Sequence, residues 1–264
     1  MGEDQRSKIL AWLHPYDFGS EQSDVLRKAQ HGTGKWLLDS SEFQQWLKGE
    51  KQSLLCQGIP GAGKTVMTSI IINHLSKTYQ NKPDIKISYL YCNFRRKYEQ
   101  APADLLALLL AQLAWQQEEL PQCLLELYDF HKKKTRPSIG EISSTLRVIV
   151  SGNRRVYVAI DALDEYMLSR GGRSKLLDHI FGLQKDCALS IFATSRFTTE
   201  IEDVFKRHGA AFLEIRAKDA DIRRYIQGNV SLLLPFAVKD ATLTSEVEKR
   251  VIEAADGMYV PPGW

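Results

Sequence analysis

Eight consecutive residues limit what this chain can fold into, because they form a pattern that bends the backbone around phosphate. Residues 58–65 read Gly-Ile-Pro-Gly-Ala-Gly-Lys-Thr and fit the phosphate-loop pattern G-x-x-x-x-G-K-[ST]. Glycine permits backbone angles that a side chain would forbid, so main-chain N–H groups can close around phosphate oxygens. Lys64 supplies a compact positive charge for the outer phosphates, and the Thr65 hydroxyl can hold Mg²⁺ beside them. We expect this stretch to bind the phosphates of a nucleotide through Gly58, Ile59, Pro60, Gly61, Ala62, Gly63, Lys64, Thr65 and Val66.

The residues on either side of this loop indicate a buried strand before it and a helix after it. A short apolar run, Leu54 to Cys56, precedes the loop. After it, apolar residues recur at the spacing of a helix that packs on a sheet, at Val66, Ile70, Ile71 and Leu75. Such a helix would direct the positive end of its dipole at the anion. A glycine-rich turn without a ligand is the alternative, and the flanking strand and helix favour the phosphate loop.

A second landmark is an apolar strand that ends in acidic residues. Residues 155–161 read Arg-Val-Tyr-Val-Ala-Ile-Asp and are followed by Ala-Leu-Asp-Glu. A carboxylate at the carboxyl end of a buried parallel strand lies where ligands bind in open α/β sheets. Asp161 can therefore join Thr65 in holding Mg²⁺, directly or through water, and Glu165 or Asp164 can polarise a water molecule for attack on the terminal phosphate. The alternative is that Asp164 and Glu165 only cap the next helix.

A third strand carries a cationic tip. The apolar run Leu189 to Thr194 is followed by Ser195 and Arg196. If this strand lies beside the Asp161 strand, the Arg196 guanidinium can sense the terminal phosphate, and we assign Arg196 to the catalytic group with Asp164 and Glu165. The alternative is a helix N-cap followed by a surface arginine.

A loop upstream of the phosphate loop is a candidate for contact with the base. Residues 31–36 read His-Gly-Thr-Gly-Lys-Trp, and two glycines two residues apart mark a tight turn. In the functional interpretation this loop folds back so that its backbone meets the nucleotide base, with Thr33 and Gly34 in the binding site. A plain connecting turn with a buried tryptophan is the alternative.

Composition narrows the class of protein. The net charge is +3, from 35 basic and 32 acidic residues among 264, which is too balanced to indicate nucleic acid as the main partner. The four cysteines have no C-x-x-C spacing and the N-terminus has no signal peptide, so we expect a reducing, cytoplasmic setting. The longest apolar stretch, Leu105 to Trp115, is too short to span a bilayer.

The order of apolar runs and turn residues predicts a three-layer α/β fold of the P-loop NTPase type. Its five-stranded parallel sheet is flanked by helices, with a short helical segment before it and helices after it. We divide the chain into a helical lead-in at 1–50, the P-loop core at 51–216 and C-terminal helices at 217–264. The predicted strands lie near 54–56, 85–92, 155–161, 189–194 and 212–215, and a last helix is predicted over 245–256.

Together these motifs resemble a NACHT-type domain, a class of signal-transducing P-loop NTPases. The resemblance rests on the phosphate loop, on Ala-Ile-Asp-Ala-Leu-Asp-Glu at 159–165 and on Ala-Thr-Ser-Arg at 193–196. Within that class, residues 12–18 and 32–46 also look like the nephrocystin-like N-terminal subgroup, which is abundant in large fungal receptor-like proteins. The resemblance covers about residues 9–258.

The resemblance implies a parallel sheet in which the Asp161 strand is separated from the phosphate-loop strand by the Ile191 strand. It implies ATP, or in some members GTP, bound with Mg²⁺, with Asp161 as the Mg²⁺ acid, Glu165 as the water-activating acid and Arg196 as the sensor. Slow hydrolysis switches such proteins between a closed resting form and a form that assembles, so we expect homo- or hetero-oligomers with NACHT relatives. No residue of the sequence identifies the base, so ATP and GTP both stay open.

One departure from the family pattern leaves other functions open. Relatives usually continue beyond Met258 with an apolar helix and a winged-helix domain, whereas residues 260–264, Val-Pro-Pro-Gly-Trp, stop a helix. We therefore expect a truncated or stand-alone form, in which turnover is an open question. A non-catalytic nucleotide-binding interaction module is the main alternative. A small-molecule kinase is another, and would need Arg95, Arg96 and Lys97 as a lid over the phosphates.

Overall fold

Five parallel strands form the central sheet of the protein. The computed structural model describes residues 3–14, 18–93, 101–132, 135–166 and 171–233, together with residues 245, 246, 249, 250 and 252. The strands are β1 (Ser53–Gln57), β2 (Ile85–Tyr91), β3 (Arg155–Asp161), β4 (Leu189–Ser195) and β5 (Ala211–Glu214). Their order in the sheet is β2-β3-β4-β1-β5, and every neighbouring pair is parallel. The predicted order, with the Ile191 strand between the Asp161 strand and the phosphate-loop strand, is confirmed.

Helices connect the strands and cover both faces of the sheet. They are α1 (Glu3–Leu13), α2 (Phe18–Arg27), α3 (Lys35–Leu38), α4 (Ser41–Lys48), α5 (Lys64–Tyr79), α6 (Pro102–Trp115), α7 (Gln122–His131), α8 (Ile139–Ser151), α9 (Gly172–Asp186), α10 (Thr199–Arg207) and α11 (Asp219–Leu233). Of the helix predicted over 245–256, only five residues are described, and they are helical. The loop at 95–97 lies outside the described residues.

Two hydrophobic clusters, one on each face of the sheet, make this a three-layer fold. Within β3 and β4 the apolar side chains alternate between them, because successive residues of a strand point to opposite faces. Val158 and Ile191 join the cluster formed with α1 and with α6 to α10, whereas Tyr157 and Phe192 join the cluster formed with α3, α4 and α5. Helices on both faces explain why these strands are apolar throughout instead of alternating with polar residues.

The segment before the first strand contributes to this core. Ser40 caps α4, since its hydroxyl accepts a hydrogen bond from the Phe43 N–H at 3.2 Å. Trp46 is fully buried on the sheet, with its indole N–H donating to the Ile191 carbonyl at 2.9 Å and its ring 5.3 Å from that of Tyr157. The division of the chain at residues 50 and 216 stays a prediction. Helix α4 nevertheless packs on the same sheet that carries the phosphate loop.

Replacing Trp46 with alanine should destabilise the protein, because it removes a large buried side chain and the hydrogen bond that its indole donates to the Ile191 carbonyl. We expect the free energy of unfolding to fall by about 3–5 kcal/mol. Trp115→Ala is the matched control, since Trp115 is 59% exposed, and it should change this free energy by less than about 1 kcal/mol. Urea denaturation followed by circular dichroism measures both, and equal effects would contradict the packing described for α4.

Candidate nucleotide-binding site

The phosphate loop leaves the carboxyl end of β1 in a conformation that depends on its glycines. The Gly58 N–H donates to the Ser195 carbonyl at 3.2 Å, and a Cβ at residue 58 would lie 2.3 Å from the Ile215 carbonyl oxygen. Gly61 and Gly63 have φ values of +77° and +86°, in the left-handed region that favours glycine. The loop therefore passes against neighbouring backbone at its start and turns sharply at its centre. This is the geometry that the phosphate-loop pattern predicts.

Lys64 begins α5 and turns its side chain back onto the loop. Its ammonium donates to the carbonyls of Gly58 and Ile59 at 2.8 and 2.9 Å. Burial lowers the pKa of Lys64 below its ordinary value, and the negative charges of Asp164 and Asp161 partly offset that effect. The charge of this lysine thus lies against the loop that would hold phosphate, with acidic residues close by.

Asp161, at the end of β3, joins three structural elements through threonine hydroxyls. Thr65 Oγ1 donates to Asp161 Oδ2 at 2.7 Å, while Thr68 and Thr194 donate to Oδ1 at 2.8 and 2.6 Å. The carboxylate is almost fully buried. Desolvation raises its pKa above the ordinary value, and the hydrogen bonds from the three hydroxyls counteract that rise. Helix α5 and strands β3 and β4 therefore meet at this one carboxylate.

Thr68 and Thr194 were not among the residues predicted for the site. Thr68 lies one helical turn after Thr65, so both hydroxyls face Asp161, and Thr194 lies in the neighbouring strand. Thr194 Oγ1 also accepts a hydrogen bond from the Ala162 N–H at 2.9 Å. The Thr-x-x-Thr spacing and the Ala-Thr-Ser-Arg sequence were available signals, but neither identifies Asp161 as the partner.

The oxygens at this point fit Mg²⁺. Thr65 Oγ1 and Asp161 Oδ2 are 2.7 Å apart at the start of α5, and hard divalent cations prefer hydroxyl and carboxylate oxygens. No group of three or more His, Cys, Asp or Glu side chains in the described part of the chain could hold a metal by itself. A Mg²⁺ ion here would therefore also use phosphate oxygens and water, as Mg²⁺ commonly does beside nucleotides.

The chain turns sharply after Asp161 and presents two acids to Arg196. Ala162 has left-handed backbone angles, φ 50° and ψ 49°, and leads into a short 3₁₀ turn, Leu163–Glu165. The Arg196 N–H donates to Asp164 Oδ1 at 2.9 Å, and its guanidinium lies 3.1 Å from Asp164 Oδ2 and 3.5 Å from Glu165 Oε1. The three side chains assigned to the catalytic group are thus brought together.

The sequence also left open that these residues only cap the helices that follow them. The N-caps of both helices are other residues. Helix α9 begins at Gly172, and its N-cap residue is Gly171, without a capping side chain. Asp164 and Glu165 lie well before that point. Helix α10 has Thr198 as its N-cap, which places Arg196 before the helix and against the two acids.

These residues surround a cavity of about 730 Å³, a volume suited to a nucleotide. Ten of the predicted site residues line it, namely Thr33, Pro60, Gly61, Gly63, Lys64, Thr65, Val66, Asp164, Glu165 and Arg196. Asp161 lies beneath Thr65, and the other predicted residues, Gly34, Gly58, Ile59 and Ala62, are outside the lining. Sequence reasoning missed the rest of the wall, which consists of Arg27, Lys28, Ala29, Gln30, Ala162 and Tyr225.

The upstream loop reaches the cavity and also contacts the last described helix. Thr33 is buried in the cavity wall, and the Gly34 N–H donates to Asp221 Oδ2 of α11 at 3.1 Å. The Trp36 indole N–H donates to the same oxygen at 3.2 Å. That Thr33 and Gly34 meet the base stays a prediction, but Thr33 now has a place in the wall.

The family of this chain is shown by a family sequence model that matches most residues of the site. The model described as "Nephrocystin 3, N-terminal" matches residues 32–196, more than half of the chain, including the phosphate loop, Asp161 and Arg196. The chain belongs to the nephrocystin 3 N-terminal family. The resemblance to a nephrocystin-like NACHT domain is thereby confirmed.

One relative of this chain is a fungal protein. The chain is 26% identical over 239 residues to vegetative incompatibility protein HET-E-1 of Podospora anserina. That match covers 85% of this chain but only 17% of the fungal protein. The activity and partners of the whole relative therefore do not pass directly to this chain.

Several solved structures are distantly similar to this nephrocystin 3 N-terminal domain. The Aeropyrum pernix ORC1 protein in complex with DNA has a TM-score of 0.49 at 17% identity, covering 93% of this chain and 64% of that one. Domain III of the Thermotoga maritima replication initiation protein DnaA has a TM-score of 0.47 at 16% identity. That match covers 89% of this chain and 83% of the DnaA domain. Nothing follows from these likenesses about the ligand or partners of this chain.

Within the described residues, no helix combines the length and the apolar character that a membrane span requires.

Gly58→Ala should disrupt the loop, because the new methyl group would meet the Ile215 backbone at 2.3 Å. We expect the free energy of unfolding to fall by about 1–3 kcal/mol or more, with loss of nucleotide affinity. Gly182→Ala is the matched control, since nothing lies within 4 Å of a Cβ there and α9 should gain up to about 1 kcal/mol. Denaturant unfolding and calorimetric titration with ATP and Mg²⁺ test both variants, and a Gly58→Ala protein that behaves like the control would contradict this geometry.

Proposed function

We propose that this domain binds a nucleoside triphosphate with Mg²⁺ in the described cavity and acts as a switch for signalling or assembly, with slow hydrolysis of ATP or GTP. One observation carries the proposal. Lys64, Thr65 and the Asp161 carboxylate meet at the start of α5, and Asp164, Glu165 and Arg196 line the same cavity. One triphosphate could therefore reach the positive charge of Lys64, the metal-binding oxygens of Thr65 and Asp161, and the acids that would activate water.

Binding would use the backbone and the start of α5 together. The loop N–H groups and the helix dipole would face the phosphates, and Lys64 would exchange its contacts with the Gly58 and Ile59 carbonyls for phosphate oxygens. Thr65 and Asp161 would hold Mg²⁺, Asp161 either directly or through water. When bound, Mg²⁺ neutralises the charge that develops on the phosphates.

Hydrolysis would depend on how Glu165 is placed. Its carboxylate would orient water and accept a proton, and Arg196 would stabilise the negative charge of the terminal phosphate. Phosphoryl transfer requires mainly positioning and charge neutralisation, and this set of residues supplies both. The domain would act in the cytoplasm by assembling with further copies of itself or with NACHT relatives.

A non-catalytic binding module is the second candidate, and two contacts of Arg196 favour it. Arg196 pairs with Asp164 and lies 3.5 Å from Glu165, so the guanidinium holds both acids. If nucleotide binding leaves those pairs intact, Glu165 cannot activate water. The domain would then hold its nucleotide without turnover.

Lys64→Ala should abolish most nucleotide binding, because it removes the positive charge from the loop. We expect the dissociation constant for Mg·ATP, or for Mg·GTP if that is the ligand, to rise roughly a hundredfold or more. Lys77→Ala is the matched control, since Lys77 is exposed near the other end of the same helix. Isothermal titration calorimetry measures both, and unchanged affinity in the Lys64 variant would contradict the proposed function.

Glu165→Gln should separate binding from turnover, because glutamine keeps the shape but cannot accept the proton. The dissociation constant should stay within about threefold of the wild-type value, while phosphate release should slow about a hundredfold or more. A phosphate-release assay and a binding titration are carried out on both the wild-type protein and the variant. Tight nucleotide binding by the wild-type protein without any phosphate release would instead establish the non-catalytic module.

A further inference from the structure

Helix α11 is attached to the upstream loop by one buried carboxylate. Asp221 is 1% exposed, and its Oδ2 accepts hydrogen bonds from the Gly34 N–H and the Trp36 indole N–H at 3.1 and 3.2 Å. Its Oδ1 accepts one from the Arg224 guanidinium at 2.8 Å. We call these four residues the latch. All three donors are satisfied by a single side chain.

Two further contacts with the upstream segment lie on the same side, one just before α11 and one within it. The Lys218 ammonium lies 5.1 Å from the centre of the Trp36 ring. Further along, a Cβ at Gly228 would lie 2.4 Å from Gln30 Oε1, so the Gln30 side chain rests directly on the helix backbone. Residues 218, 221, 225 and 228 are spaced by three and four, which places them on one side of a helix.

Among the described residues, the apolar side chains of α11 pack apart from the two large clusters. Ala217, Ile222 and Ile226 form a small cluster of their own, against which Ile252 packs. None of the α11 residues whose burial is described belongs to either of the two large clusters. Within the described part of the chain, the latch is therefore the main polar connection between α11 and the upstream loop.

The surfaces that the latch joins form one wall of the cavity. Gln30 and Thr33 line it from the loop, and Tyr225 lines it from α11, one residue after Arg224. The Thr33 hydroxyl is buried without a hydrogen-bond partner in the described structure. The phosphate loop takes the triphosphate, so the remaining wall is left for the nucleoside, and an aromatic ring and small polar groups are what a base and ribose require.

We propose that Asp221 is a positioning residue that builds the nucleoside compartment by holding α11 against the upstream loop. This inference rests on the proposed function, because it assigns the second half of the same cavity. Asp221 touches no part of the nucleotide itself. It sets affinity for the base and ribose and leaves affinity for the phosphate chain unchanged.

Asp221→Asn tests this with the shape of the side chain preserved. The amide nitrogen offers N–H donors where a carboxylate oxygen now accepts, so either the Gly34–Trp36 side or the Arg224 side loses its acceptor. Asp219→Asn is the matched control, since Asp219 is exposed in the first turn of the same helix.

The measurement compares two ligands by calorimetry, a nucleoside triphosphate with Mg²⁺ and inorganic tripolyphosphate with Mg²⁺. Asp221→Asn should weaken nucleoside triphosphate binding about tenfold or more and change tripolyphosphate binding by less than twofold. Asp219→Asn should change neither. Trp36→Phe, which keeps an aromatic side chain and removes one donor, should give a smaller loss with the same preference. It serves as the test if Asp221→Asn does not fold.

The outcomes separate this inference from the proposed function. Equal loss for both ligands, or no loss for either, would overturn the role of Asp221 while leaving nucleotide binding in place. A wild-type protein that binds nucleoside triphosphate but not tripolyphosphate would contradict the division of the cavity into two halves. A wild-type protein that binds neither ligand would overturn the proposed function itself.

Discussion

The buried Asp161 carboxylate is the interaction on which the rest of the site depends. Removing a carboxylate from water costs several kcal/mol, and here hydrogen bonds from Thr65, Thr68 and Thr194 offset that cost. Because those hydroxyls come from α5 and β4, the carboxylate also fixes the start of the phosphate-loop helix against the middle of the sheet. The same atoms that stabilise the fold are the ones that can hold Mg²⁺. Under the proposed function, stability and Mg²⁺ binding are therefore linked through this one residue.

The two ends of the cavity are built differently. The phosphate end lies on β1, β3, β4 and α5, whose apolar side chains belong to the two large clusters. The other end is formed by the loop at 30–36 and by α11, which contributes only to a small separate cluster. Regions with few buried apolar contacts open at a lower free-energy cost than the core. We therefore expect motion on the nucleoside side of the cavity and a rigid phosphate side.

Local motifs made much of this arrangement predictable from the sequence. The phosphate loop follows from a spacing that encodes backbone geometry, and Thr65 and Asp161 lie together as expected. The parallel sheet and the place of the Ile191 strand follow from the resemblance to the NACHT family. The latch was not predictable, since Gly34 and Asp221 are 187 positions apart and nothing in the sequence links one to the other. Thr68 and Thr194 were missed for a related reason: a threonine within a helix or strand does not reveal which carboxylate it will meet.

The central claim is that Lys64, Thr65 and Asp161 act on one bound triphosphate. A crystal structure with a non-hydrolysable ATP or GTP analogue and Mn²⁺ in place of Mg²⁺ tests it most directly, because anomalous scattering locates the metal. The account predicts one metal peak next to Thr65 Oγ1, with the Asp161 carboxylate as a ligand or one water away and Lys64 on the outer phosphates. A metal and phosphate chain bound elsewhere, or Lys64 and Asp161 facing different cavities, would contradict it.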